Sequence, residues 1–402
     1  MRILLYTQYF PPETNAPANR WSYFCEYLAQ KGYQIYVLTT FPIEFQKFFK
    51  NLKVREDNYQ NLKIIRVARP IFHWNNCFTH WISDLIFSFL SYKNSVNIPD
   101  VDLMIVIAPP YYYLGNAFKI ARRRRTPLVV DLNELSLETN IRSLSQFNFK
   151  NWFLQRQLNK IFEKVFAFIT PTKALKNYLV FKFGISLNKV FYLPNGADIK
   201  FFTEKVDSSF IIRQYNLYDD FIVSYTGILS EDQNPCILIE TALLLKENKQ
   251  IKFLIVGGGP LEEKLKIKAK ELKLNNIIFI GLVPHSEINK YINLSDVCLV
   301  LLKNDFKLKD SVPSKIFEYM AARKPIIINL EGEGSKIIEE AQCGLIIKPD
   351  NPNDLKEAIL KLYNDRFLRE KLGLNGYNYV NYNFNKEDLA NQLEKILHAF
   401  IK

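Results

Sequence analysis

Cysteine is scarce in this chain, with five in 402 residues. Cys25, Cys77, Cys236, Cys298 and Cys343 stand singly, the count is odd, and no two form a CxxC pair. That argues against a disulfide framework or a tetrahedral zinc site, and for a reducing compartment. Histidine is scarcer still. His73, His80, His285 and His398 lie far apart with no HExxH-like spacing, so no metal motif is present. Also missing is an unbroken apolar run of about 20 residues, so no spanning helix is expected. The opening "MRILLYTQYF" turns polar after a few residues and reads as a first strand, not a signal peptide.

Acidic residues are few in the first half. Residues 1–200 carry 26 Lys/Arg against 13 Asp/Glu, whereas the remainder carries 27 against 28. The whole net charge of +12 therefore belongs to the N-terminal half. Such asymmetry suits contact with something anionic: a membrane surface, a lipid phosphate or nucleic acid.

What is abundant is alternation. "RILLY", "QIYVLTT", "LMIVIA", "PLVVDL" and "VFAFIT" read as strands, with helices expected over Ala18–Lys31, Trp152–Lys164 and Thr172–Phe183. The pattern resets after "VFYLPNGADIKFF", and "FIVSYTG", "KFLIVGGG", "NIIFIG", "VCLVLL", "PIIIN" and "GLIIK" follow, again with helices between. Strand–helix alternation implies parallel sheets covered on both faces. Two such series in a chain of this length give an α/β protein of two doubly wound, Rossmann-like domains facing a central cleft. The expected division is 1–200, 201–385 and a C-terminal helix over 386–402 packing back toward the N-terminal domain, with a hinge near Asn195–Asp207.

The stretch "DSVPSKIFEYMAARKPIII" (310–328) carries the most chemistry. On a helical wheel Ile316, Phe317 and Met320 share one side, and Lys315, Glu318 and Ala322 gather opposite. One reading is a solvated face with a Lys–Glu pair worth roughly 0.2–0.5 kcal/mol. The other is a ligand site. Pro313 fits a first helical turn and Ser314 is a good cap. The free N–H groups and the charge of Lys315 would then meet phosphates, and Glu318 would accept hydrogen bonds from ribose hydroxyls. Together these suit a nucleoside diphosphate.

"FLIVGGGPLEEKL" is a strand, a glycine turn and a helix opening at Pro260. As a dinucleotide fingerprint it is poor, because Glu262 occupies the third glycine position and acidic residues crowd the helix start. It reads equally as a plain strand-to-helix turn. "RRRR" (Arg122–Arg125) is either a helix C-terminus balancing its dipole or a basic patch, and nothing else in the sequence demands nucleic acid. "HWNNCFTHWISDLIFSFLSY" (73–92), flanked by "KFFKNLKVR" and "IIRVARP", suits an interfacial helix on an anionic membrane, or a core helix. The loop "YFPPETNAPANRW" opens a helix in which Arg20 would meet an anion or serve structure.

Taken together, "YFPPETNAPANR", "PNGADIKFF", "VGGGPLEEKL", "GLVPHSEI", "LSDVCLVLL" and above all "PSKIFEYMAARKPII" resemble retaining, nucleotide-sugar-dependent glycosyltransferases of the GT-B fold, family four, of the kind that builds bacterial surface polysaccharides. The resemblance spans nearly the whole chain. It implies two carboxylates eight positions apart, the first on the donor sugar and the second on the ribose; these fall on Asp310, where Glu is usual, and Glu318. An Arg and a Lys usual after the second domain's first strand are replaced by Ile228 and Gln233, and Lys315 is the candidate substitute. Arg323 stands where Gly is common. A first-domain carboxylate falls on Glu134 or Glu138. Gly227, Gln233, Gly258, Gly259, Val283, Pro313, Ser314 and Arg20 are the implied substrate contacts. The resemblance further implies retention without metal or cofactor, and closure of the two domains against water. A polyprenyl-diphosphate-linked glycan acceptor is expected at the cytoplasmic face of an anionic membrane. Rival readings are a nucleotide-sugar epimerase on the same fold, a non-catalytic sugar-nucleotide-binding subunit and, least, a nicotinamide dehydrogenase.

Overall fold

A computed structural model describes residues 1–42, 54–69, 77–134, 156, 158–305 and 311–400. The chain forms two compact units, Met1–Pro194 with Ala390–Lys402, and Asn195–Leu389.

Among the described residues unit 1 is built on eight strands: β1 (Arg2–Tyr6), β2 (Gln34–Thr40), β3 (Val54–Tyr59), β4 (Leu62–Val67), β5 (Leu103–Ala108), β6 (Leu128–Leu132), β7 (Ala167–Thr170) and β8 (Val190–Tyr192). Their order is β3-β4-β2-β1-β5-β6-β7-β8. Every residue of β5, "LMIVIA", is buried, as expected of a central parallel strand covered on both faces. The sheet departs from the all-parallel expectation at one edge, where β3 runs antiparallel to β4. A two-residue connection permits it: Asn61 takes φ 60°, the left-handed conformation that tight hairpin turns require.

Helices α1 (Ala16–Gln30), α2 (Cys77–Ser95), α3 (Leu114–Arg124) and α4 (Lys173–Phe183) flank this sheet. Asn15 caps α1 by accepting from the Ala18 N–H at 3.0 Å. Phe87 of α2, Leu114 and Ala117 of α3, and Leu179 of α4 pack on one face with Tyr6 and Val106. The arginine run ends α3. Arg124 donates to the carbonyls of Ser95 and Ile98 at 2.7 and 2.9 Å, and Arg125 makes the left-handed cap at φ 53°. The run is a helix end that fastens the connection between α2 and β5. "IIRVARP", expected as a basic flank, is largely β4. Its Arg66 is buried against Asp57 (3.1 Å) and the Pro11 carbonyl (2.6 Å), and Arg69 pairs with Asp84 at 2.7 Å.

Unit 2 carries six parallel strands: β9 (Phe221–Thr226), β10 (Ile251–Val256), β11 (Ile277–Gly281), β12 (Val297–Val300), β13 (Ile326–Ile328) and β14 (Gly344–Ile346). The order β11-β10-β9-β12-β13-β14 reverses direction between β9 and β12. In open α/β sheets that reversal opens a crevice beyond the strands' carboxyl ends, where ligands bind. Nine helices follow among the described residues: α5 (Ile199–Thr203), α6 (Ser209–Tyr215), α7 (Cys236–Leu244), α8 (Glu262–Glu271), α9 (Ile288–Leu294), α10 (Lys315–Ala321), α11 (Glu333–Ala341), α12 (Pro352–Asn364) and α13 (Arg366–Asn383). Residues of α7, α8 and α12 cover one face, and those of α5, α10, α11 and α13 the other. Helix α14 (Lys386–Ala399) begins in unit 2 and continues into unit 1. There Tyr33 lies 2.9 Å from Glu394 and 2.8 Å from His398. No helix among the described residues is long and apolar enough to cross a membrane.

Candidate functional site

Helix α10 follows β12 and therefore starts at the carboxyl-end crevice of unit 2. It is buried nearly all round: Ile316, Phe317, Tyr319, Met320, Ala321 and Ala322 are all in the core. The two-faced helix of the wheel is thus corrected, for Ala322 does not share a solvated side with Lys315 and Glu318. The cause is packing on a second side, where Phe317 lies 4.6 Å from Phe384. Ser314 also departs from expectation. It sits at the helix start in a right-handed helical conformation and its side chain makes no cap hydrogen bond.

Lys315 and Glu318 do not pair as surface residues; each enters a separate environment. Lys315 Nζ donates to Gln233 Oε1 at 3.1 Å and lies 4.4 Å over the Tyr225 ring. The Tyr225 hydroxyl lies 3.3 Å from the same Gln233 oxygen and donates to the Ile228 carbonyl at 2.9 Å. Gly227 leaves room for the ammonium, since a Cβ there would sit 2.8 Å from Lys315 Nζ. Burial lowers the Lys315 ammonium to about 8, against the opposing pull of Glu318.

The glycine turn supports this lysine pocket from below. The Leu229 N–H donates to the Gly258 carbonyl at 2.9 Å, and the Leu261 N–H to the Leu229 carbonyl at 3.0 Å. At Gly257, φ is +139° and a Cβ would meet the Gly227 carbonyl at 1.9 Å. These glycines let two loops touch backbone to backbone, which is the plain-turn reading. Gly259 belongs to the same contact, with a Cβ 2.7 Å from the Leu229 carbonyl.

Glu318 is 13% exposed, and its Oε1 lies 3.7 Å from His285 Nε2. That is ion-pair reach, longer than a hydrogen bond. Burial pushes the Glu318 carboxyl up, but His285, Lys386 and Lys315 together outweigh it and hold it below the ordinary glutamate range. His285 begins a short 3₁₀ turn and stacks on Phe201 at 5.8 Å with planes 15° apart. Lys386 is set by strand-like pairing of Ala197 with Asn385. Gly196 makes that approach possible, because a Cβ there would sit 2.2 Å from the Phe384 carbonyl. Three motifs separate in sequence, "PNGADIKFF", "GLVPHSEI" and "PSKIFEYM", therefore converge on one carboxylate.

The structure thus brings together Lys315, Gln233, Gly227, Glu318 and the turn containing Gly258 and Gly259, with Pro313 and Ser314 at the helix start. Val283 packs instead with Ile211, Ile222 and Leu254. Arg20 receives the structural role. It is 4% exposed, donates to the Leu193 carbonyl at 2.7 Å and lies 3.7 Å from buried Asp131. Trp21 holds the same aspartate at 2.7 Å. Glu134 is an exposed residue of unit 1 beyond β6. Asp310 and Glu138 lie outside the described residues. Sequence reasoning passed over His285, Phe201 and Lys386. The first two stood inside quoted motifs, whereas the bearing of Lys386 on Glu318 is visible only in three dimensions.

Residues 207–379 match the family model Glycosyl transferases group 1, and residues 18–201 match Glycosyltransferase Family 4. An uncharacterized glycosyltransferase of Methanocaldococcus jannaschii is 21% identical, over 100% of this chain and 99% of its own. A capsular polysaccharide biosynthesis glycosyltransferase of Staphylococcus aureus is 24% identical over 58% of this chain and 62% of its own. The crystal structure of the Anabaena protein HepE in complex with UDP-glucose superimposes with a TM-score of 0.76 at 16% identity, covering 99% of this chain and 100% of that one. The fold is GT-B, and the two family matches, one to each half of the chain, support glycosyltransferase activity.

Proposed function

We propose that the chain moves a sugar from a nucleotide-sugar donor to a lipid-linked glycan. The transfer proceeds with retention and without metal or cofactor, at the inner face of an anionic membrane, in surface-polysaccharide synthesis. The observation that carries the reading is the placement of Lys315 and Glu318 one helical turn apart at the switch point of unit 2's sheet, each in its own built environment. In this scheme Glu318, kept ionised, accepts hydrogen bonds from the donor's ribose hydroxyls. Lys315 faces the diphosphate. When the bond from the anomeric carbon to phosphate oxygen breaks, its electron pair goes to that oxygen and Lys315 stabilises the charge. The same oxygen takes the proton of the acceptor hydroxyl as the new glycosidic bond forms on that face. The UDP-glucose bound by HepE and the capsular pathway of the staphylococcal relative support the donor and product classes.

The membrane setting rests on the outer layer of unit 1. Helix α2 turns Ser83, Phe87, Ser91 and Ser95 inward and leaves Leu85 and Phe89 exposed, the latter 68%. Helix α4 exposes Phe181, at 84%, beside Lys182. Along α2, α3 and α4 the sequence has a single acidic residue, Asp84, and that one is paired with Arg69. Apolar side chains projecting from a basic layer suit an anionic interface.

One assay tests both parts. UDP- and GDP-sugars are incubated with the chain and the glycolipid fraction of the source cells, with and without vesicles containing anionic lipid. Release of nucleoside diphosphate is expected to need the glycolipid, and both turnover and sedimentation with vesicles to rise with anionic lipid. Donor turnover without any acceptor would favour an epimerase, and absence of lipid dependence would remove the membrane setting.

A further inference from the structure

We infer that His285 is a positioning residue that fixes the Glu318 carboxylate for the ribose. This deepens the proposed function and rests on its reading of Glu318 as the ribose contact. The imidazole packs on one helix: it stacks on Phe201 and meets Phe202 edge-on at 6.5 Å and 90°. The helix bearing those rings is itself held, since Asn289 donates to the Phe201 carbonyl at 2.5 Å and Asn293 to that of Phe202 at 3.5 Å. The rings that His285 packs on are thus tied to α9. The His285 Nε2 is buried, has no hydrogen-bond partner among the described residues, and faces Glu318 Oε1 across 3.7 Å. A buried ring nitrogen without a partner costs free energy unless a ligand or a small closure completes its bond.

Glu318 belongs to a different element, one turn into α10, with rotatable bonds of its own. A carboxylate must present both oxygens in one plane to grip neighbouring ribose hydroxyls. Contact of Oε1 with His285 selects that plane, and the charge of Lys386 helps to keep the carboxylate ionised. The ligand class is therefore a ribonucleotide with free 2′ and 3′ hydroxyls, and the residue governs selectivity for ribose more than for phosphate.

The test is calorimetric. Binding of UDP or GDP, whichever binds more tightly, is compared with binding of its 2′,3′-dideoxy form, for the wild-type chain, Glu318→Gln, His285→Phe and His285→Gln. The Phe variant keeps the ring stack and loses Nε2; the Gln variant keeps a donor of similar reach. The wild type is expected to prefer the ribose form at least tenfold and Glu318→Gln to lose most of that preference. His285→Phe should lose at least threefold of it with an unchanged melting midpoint, and His285→Gln should recover part. If Glu318→Gln keeps the preference, the ribose reading of Glu318 fails. If Glu318→Gln loses it and His285→Phe keeps it, the inference about His285 is wrong. Should the Phe variant fail to fold, His285→Asn, too short to reach Oε1, is read by the same criterion.

Discussion

Lys315→Ala is expected to lower kcat/KM for the nucleotide-sugar at least tenfold, about 1.4 kcal/mol. The lysine is held by Gln233, lies over Tyr225 and fills the space that Gly227 leaves. Its depressed proton affinity adds a pH signature. A lysine that titrates near 8 is charged below that pH and loses charge above it. A diphosphate binds the charged form, so donor affinity should be flat on the acid side and fall as pH rises through 8. The fall is about tenfold at most between pH 7 and 9. Lys315→Arg stays charged over that range and should flatten the profile, though its planar fork fits the pocket less well. Initial rates at subsaturating donor across this range read both effects. Full activity in Lys315→Ala, or an unchanged pH profile in Lys315→Arg, would remove the lysine from the diphosphate site.

Glu318→Gln should weaken donor use by a similar factor through another route. The substitution preserves size and removes the charge that His285, Lys386 and Lys315 surround. A carboxylate accepts from two hydroxyls at once, whereas an amide offers one acceptor and one donor. The loss should therefore appear in nucleotide affinity, measured by calorimetry. It should persist when the nucleoside diphosphate alone is titrated, because the contact is with ribose and not with the transferred sugar. Unaltered affinity for the diphosphate would refute the assignment. The fold should tolerate the change, since Glu318 keeps partial access to solvent whereas the adjacent Phe317 and Tyr319 do not.

Much of this arrangement was legible from residues alone, for physical reasons. Central parallel strands are buried on both faces, so they appear as apolar runs such as the unbroken "LMIVIA" and the mostly apolar "FIVSYT". Edge strands need no such composition. "VREDNY" is polar and only its pairing with β4 makes it a strand, so the hairpin stayed hidden. The wheel found Lys315 and Glu318 but misjudged Ala322, because it contains one partner surface and α10 meets two. Arg20 shows the opposite limit: an arginine early in a helix after a loop suits an anion, and only the tertiary fold shows that Asp131 is buried beside it. The dependence of Glu318 on His285 and Lys386 is likewise long-range, since they lie 33 and 68 positions away in sequence. The glycine turn read equally as a plain turn, and that it braces the loop facing Lys315 depends on contacts between Gly257, Gly259 and residues 227–229 that are distant in sequence.

The most direct measurement is a crystal structure of the chain with its nucleotide-sugar donor. The diphosphate is expected about 3 Å from Lys315 Nζ, and the ribose hydroxyls within hydrogen-bond reach of the Glu318 carboxylate. Donor density at another place in unit 2, with the first turn of α10 untouched, would contradict it.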